Sequence, residues 1–161
     1  MRQHPPLGAC AESADSRVLA TRAEEDSALA RARRRFAEHT VHSLGLPPLV
    51  PVTVPRPRQA GTGAVAGLRE ARPDVTAVAA FDDDLALRTL TALQDLGLAA
   101  PGDLAVIGYD DTEYGELSTP ALTTVHIDAE AHGRLAARTA LGLDSAGLVP
   151  VPARIIVRDS V

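Results

Sequence analysis

TAVAAFDDDLALRTLTALQDLGLAAPGDLAVIGYDD, residues 76–111, decides how the chain is read. It has the pattern strand, helix, strand. Residues 75–81 are small or branched and apolar, with no polar interruption after Thr76, which predicts a buried strand. Residues 84–96 follow with Ala86, Leu90, Leu93 and Gly97 at helical spacing, so that one face is apolar. Asp82 or Asp83 can cap the start, since a short side-chain acceptor takes an orphan backbone N–H. Gly97 suits the stop and Pro101 forbids resumption. Residues 104–109 form a second apolar strand. Strands with so little polarity imply burial on both faces, as in a parallel sheet covered by helices.

Parallel strands deliver their ends to one side. Each strand here ends in an aromatic followed by acids, Phe81-Asp82-Asp83-Asp84 and Tyr109-Asp110-Asp111. Both clusters should therefore emerge at the sheet end where open α/β folds bind ligands. Asp83 and Asp84 are accounted for equally as cap and first-turn acids favoured by the helix dipole. Asp82 and Asp110 are the candidates for facing a ligand.

The 161 residues are 45% hydrophobic, enough for one ordinary domain, and 23% charged. The net charge of −5 disfavours nonspecific nucleic-acid binding, which needs a basic surface. All 16 basic residues are Arg. Mechanisms that require Lys are thereby excluded. Cys10 stands alone and cannot form an internal disulfide. No apolar run is long enough for a membrane helix, and the first residues lack a signal-peptide core. A cytoplasmic domain is expected.

Residues 1–16 contain Pro5 and Pro6 among small polar residues and read as a poorly ordered leader. Residues 17–21 are a short strand candidate. Residues 24–44 read as a long helix with Ala28, Leu29, Ala32 and Phe36 along an apolar stripe. Its centre carries Arg31, Arg33, Arg34 and Arg35. Such a run is ordinarily a solvated face, but one Arg can turn inward to answer carboxylates that converge at a sheet end. Residues 49–54 form a strand interrupted by Pro51, residues 55–58 a loop, and residues 61–71 a small-residue helix. Beyond the central unit, 112–119 is a polar loop and 122–126 is extended. Residues 128–143 form a helix with Leu135, Ala136, Ala140 and Leu143 on one stripe. Residues 151–157 form a last strand at an edge. The alternation of elements predicts an α/β fold, a layered and mostly parallel sheet flanked by helices.

There is no glycine-rich phosphate loop, because Gly61-Thr-Gly63 lacks the remaining spacing. The acids at 82–84 diverge at a helix start without accompanying His or Cys, so no metal is expected. Ser118 and His126 are not embedded in a nucleophile motif, and no catalytic residue or cofactor is assigned. His126 ends an extended run at a pocket rim. Acids and aromatics together fit polyol recognition: carboxylates accept hydroxyl hydrogens while a ring covers an apolar sugar or base face. Aromatics are only 2% of the chain, and Phe81 and Tyr109 stand at both strand ends. They can equally be core strand termini.

The runs Thr76-Ala-Val-Ala-Ala-Phe-Asp-Asp-Asp-Leu-Ala, Leu93-Gln-Asp-Leu-Gly, Pro101-Gly-Asp-Leu-Ala-Val-Ile-Gly-Tyr-Asp-Asp and Ser118-Thr-Pro-Ala-Leu-Thr-Thr-Val, with the closing Arg154-Ile-Ile-Val-Arg-Asp-Ser, resemble the effector-binding region of LacI/GalR-type transcription regulators. The resemblance covers residues 61–161 and, more loosely, 17–60. It implies one lobe of a periplasmic-binding-protein-like fold, two such lobes clamping a small ligand. It places Asp110 at an effector-contacting aspartate and Arg33 at an effector-contacting arginine. Asp82 stands where that family usually has asparagine. Arg56 replaces an aromatic, and Ile127 a polar residue. The implied partners are a sugar-like or nucleoside-like effector and a second copy in a homodimer. DNA is met only through a helix-turn-helix outside this chain. Ligand contacts are expected from Arg33, Phe81, Asp82, Tyr109, Asp110 and His126. Residues 128–143 match a helix that in the family packs on the first lobe, so a truncated regulator is expected over 17–161. A stand-alone sugar-binding lobe of transport type and a small enzyme with an acidic site are the alternatives.

Overall fold

The computed structural model describes residues 16–21, by their backbone, together with 27–145, 147–149 and 151–161. The leader expected over 1–16 lies outside the described residues except for Ser16, which opens the first strand. The expected start of the long helix at residues 24–26 also lies outside them.

The elements in chain order are β1 (Ser16–Thr21), α1 (Ala28–Ser43), β2 (Val50–Thr53), α2 (Arg58–Ala71), β3 (Val75–Ala80), α3 (Asp83–Asp95), β4 (Ala105–Ile107), α4 (Glu113–Leu117), β5 (Thr124–His126), α5 (Ala129–Ala140) and β6 (Arg154–Ile156). β2, β1, β3 and β4 form a parallel sheet in that spatial order. β5 and β6 pair antiparallel as a separate ribbon. Pro51 sits in β2, an edge strand, the position in a sheet that tolerates proline.

Alternation along β3 and β4 sorts their side chains to the two sheet faces. Val78, Ala80 and Val106 are buried in one cluster with Val65 and Leu68 of α2 and Leu85, Leu90 and Leu93 of α3. Fully burying each leucine contributes roughly 1.5–3 kcal/mol. The other face is less covered. There Ala77, Ala79, Ala105 and Ile107 are only half-buried and line an apolar cavity of about 380 Å³ with Ala37, Thr40 and Val41 of α1.

Two local expectations are corrected, and a third is narrowed. α2 begins at Arg58, three residues before the expected start, because Pro57 already supplies extended backbone at the cap position. The expected polar loop over 112–119 contains α4, one short helical segment. Asp82 is the cap of α3, accepting a 2.8 Å hydrogen bond from the Leu85 N–H. Asp83 is a first-turn acid, as expected, but its side chain has no exposure at all.

The C-terminal residues are stitched into the sheet edge. Ser160, fully buried, donates its hydroxyl to the Val106 carbonyl at 2.7 Å and accepts the Thr123 N–H at 2.8 Å. The Val106 N–H donates to the Ser160 carbonyl at 2.9 Å. These bonds carry the β4 edge onward into residues 121–123 and 158–160.

α5 is different. It is properly capped, with Asp128 accepting from the Ala131 N–H at 2.9 Å, yet none of its residues is buried. Leu141 and Leu143 beyond its end are exposed as well.

Candidate functional site

β3 and β4 run parallel, pairing Ala77 with Ala105 and Ala79 with Ile107, so Phe81-Asp82 and Tyr109-Asp110 leave the sheet at the same end. α1 carries Arg33 to that end. Its guanidinium carbon lies 4.1 Å from the Tyr109 ring centre and 4.4 Å from that of Phe81. It donates to the Phe81 carbonyl and stands 3.8 Å from Asp110 Oδ1. One member of the basic run on α1 has therefore turned inward. The planar, weakly hydrated guanidinium is suited to this, as a stacked cation that still presents N–H groups along its edge. The Arg33 side chain keeps 25% of its exposure and Asp110 keeps 40%, so both remain reachable from solvent.

A cavity of about 310 Å³ opens beside them, lined by Ala30, Arg33, Arg34, Phe36, Phe81 and Tyr109, among others. Asp82, Asp110 and His126 are not part of its wall. Asp82 is committed in part to capping α3. His126 Nδ1 lies 3.0 Å from Asp111 Oδ2, a contact that bonds an ionised carboxylate only when that nitrogen carries a proton. The structure thus brings together Arg33, Phe81, Tyr109 and Asp110, keeps Asp82 on the same rim, and turns His126 toward Asp111.

The backbone at the rim is strained. Asp110 has φ +110° and Asp111 φ +51°, both uncommon for residues with a Cβ. Neighbouring bonds hold them there. The Asp110 N–H donates to the Val125 carbonyl at 2.9 Å. Asp111 accepts from Arg158 Nη2 at 3.0 Å, and Arg158 in turn donates to the Leu122 carbonyl at 2.8 Å. Burial pushes the Asp111 carboxyl pKa upward, but the Arg158 and His126 hydrogen bonds outweigh it and leave the pKa below the usual carboxylate value.

Behind the rim lies Asp83. Its Oδ2 accepts from the Thr112 N–H at 2.7 Å and the Thr112 hydroxyl at 3.0 Å, and its Oδ1 accepts from the Thr124 hydroxyl at 2.5 Å. A Cβ built on Gly108 would stand 2.2 Å from Asp83 Oδ1, so only glycine fits there. Sequence reasoning weighed Asp83 only as a cap or first-turn acid, named Asp111 only as part of an acidic cluster, and gave Thr112, Thr124 and Arg158 no role at the site. The one signal present was Gly108, a glycine at the end of an otherwise apolar strand, which marks close approach by another group.

No group of three or more His, Cys, Asp or Glu side chains placed to hold a metal occurs among the described residues. No helix among them is long and apolar enough to cross a membrane. The arrangement supplies hydrogen-bond acceptors, one stacked cation and two ring faces, a set fitted to holding a hydroxylated molecule.

Residues 12–161 match the family described as periplasmic binding protein-like domain. The lactose operon repressor of Rhizobium radiobacter is 36% identical over 95 residues, 56% of this chain and 82% of that protein. The HTH-type transcriptional repressor PurR of Vibrio vulnificus is 51% identical over 51 residues, 32% of this chain and 15% of that protein. A LacI-family transcriptional regulator from Arthrobacter sp. FB24, solved in complex with lactose, is 26% identical with a TM-score of 0.67, over 91% of this chain and 57% of that one. The chain thus spans little more than half of that solved relative. The chain belongs to the periplasmic-binding-protein-like family and, within it, to the effector-binding regions of LacI/GalR-type regulators.

Proposed function

We propose that the rim built by Arg33, Phe81, Asp82, Tyr109 and Asp110, with His126 beside it, binds a small sugar-like or nucleoside-like effector, and that the chain is the sensing and dimer-forming part of a transcription regulator. The carrying observation is the Arg33 guanidinium held between the Phe81 and Tyr109 rings next to Asp110, at the shared end of β3 and β4. Carboxylates accept hydroxyl hydrogens, the Arg edge donates to ring or hydroxyl oxygens, and the outer ring faces cover C–H surface. No residue on the rim is assigned as a nucleophile or general base, so binding without turnover is the expected activity. The stripe of half-buried Leu135 and exposed Leu141 and Leu143 is where a second lobe would pack, closing the ligand between two bodies. Operator DNA would be met through a separate helix-turn-helix.

Isothermal titration of the chain with lactose, galactose, cellobiose, ribose and guanosine tests this reading. A site open on one side should bind in the millimolar range, about −4 kcal/mol. Asp110→Asn and Arg33→Ala should each abolish the heat, and none of the compounds should be consumed. Turnover, or binding that ignores both substitutions, would refute the reading.

A further inference from the structure

We propose that Asp83 is the positioning residue of the site: it locks the turn that carries Tyr109 and Asp110 to β5, so that the ligand-facing turn and β5 move as one body. The proposal rests on the reading of Tyr109 and Asp110 as ligand-facing.

Asp83 begins α3, two residues after Phe81, and its own N–H donates to the Tyr109 carbonyl at 2.9 Å. Its carboxylate then reaches past Gly108 to both sides of the turn. Thr112, just beyond the strained pair Asp110-Asp111, gives it two donors. Thr124, the first residue of β5, gives it a third. Main-chain bonds run alongside, from the Gly108 N–H to the Thr123 carbonyl and from the Asp110 N–H to the Val125 carbonyl, each 2.9 Å. One buried acid therefore fastens both ends of the turn and, beside these main-chain bonds, ties it to the neighbouring strand.

The residue type matters. Three donors converge on the two carboxylate oxygens, so both oxygens act as acceptors here. Asparagine would replace one of these acceptor oxygens with an NH2 and so change the bonding at Thr112 or Thr124. Gly108 is part of the same device, because a side chain there would displace Oδ1. Two non-glycine residues at positive φ persist only where surroundings over-determine them. Releasing Thr112 or Thr124 lets that pair relax and re-aims Asp110. The Asp111–Arg158 and Asp111–His126 contacts hold the Asp111 side chain and not Thr112, while the Asp111 N–H donates to the same Thr124 hydroxyl at 3.3 Å.

Amide hydrogen exchange on the full chain tests this with Asp83→Asn, Thr124→Val and Thr124→Ser. Valine keeps the shape of threonine without the hydroxyl; serine keeps the hydroxyl without the methyl. Thr124→Val should speed exchange at the Asp110 and Thr112 amides about tenfold relative to the Val65 and Leu68 amides in α2, and Thr124→Ser should restore protection. Asp83→Asn should show the larger effect at the same amides. Equal behaviour of the valine and serine variants would overturn the proposal, as would acceleration spread evenly into α2. A parallel lactose titration separates the two claims. Binding by the wild-type chain that Thr124→Val weakens and Thr124→Ser preserves supports both. A wild-type chain that binds none of the saccharides or guanosine fails the ligand reading, while the exchange comparison still decides the role of Asp83.

Discussion

α3 and α5 are built to the same recipe and end in opposite situations. Each opens on an aspartate cap, Asp82 in one and Asp128 in the other, and each carries an apolar stripe at helical spacing. α3 buries Leu85, Ala86, Thr89, Leu90, Ala92 and Leu93 between the sheet and α2. α5 buries nothing. A stripe therefore specifies a helix and the side it offers; what lies against that side is decided by topology. β3 and β4 flank α3 in sequence and form its floor, whereas α5 connects β5 to β6, a two-stranded ribbon with too little surface to cover it. The rim residues belong to the well-packed half, and the candidate docking face belongs to the other.

The contrast can be broken by truncating matched leucines. Leu93→Ala should destabilise the chain by about 2–5 kcal/mol in urea unfolding, through lost transfer energy and a cavity. Leu141→Ala, beyond α5, should change stability by less than about 0.5 kcal/mol. Comparable losses at the two sites would mean that α5 is covered within this chain.

Ser160→Ala should come next, at about 1–3 kcal/mol by the same measurement. It leaves the buried Val106 carbonyl and Thr123 N–H without the hydroxyl that serves both.

A smaller, pH-dependent effect belongs to Asp111. Its folded pKa lies below the unfolded value, so its stabilisation is present above the unfolded pKa and is lost as pH falls through the folded one. Asp111→Asn should be less stable than wild type at neutral pH. The gap should close on acidification below about pH 4, where the ordinary carboxylate begins to protonate. A gap that is constant down to the acid limit would show that the Arg158 and His126 contacts do not depend on the carboxylate charge.

The central strand–helix–strand unit was legible because its signals are local: apolar runs for β3 and β4, spacing for α3, glycine and proline for its end. The α/β class and the shared strand ends followed from them. Asp82 and Asp110 could be placed at one rim for the same reason. Asp83 could not be told from Asp82 and Asp84, since three adjacent acids look alike until the turn direction selects the one that points inward. Arg158, Thr124 and Ser160 meet their partners across 35 or more residues in Thr123, Asp83 and Val106, and no local pattern encodes such separations. The inward turn of Arg33 was an option in the sequence; the positions of Phe81 and Tyr109 realise it.

The most direct measurement of the shared rim uses tyrosine emission. The chain has no tryptophan and two tyrosines. Tyr114→Phe, at an exposed position, leaves Tyr109 as the only reporter, in contact with Arg33. Titrating that variant with lactose, galactose, cellobiose, ribose and guanosine should give a saturable change with at least one of them, and Asp110→Asn added to it should abolish the change. No saturable change with any compound, or the same change without Asp110, would contradict a ligand held between the ends of β3 and β4.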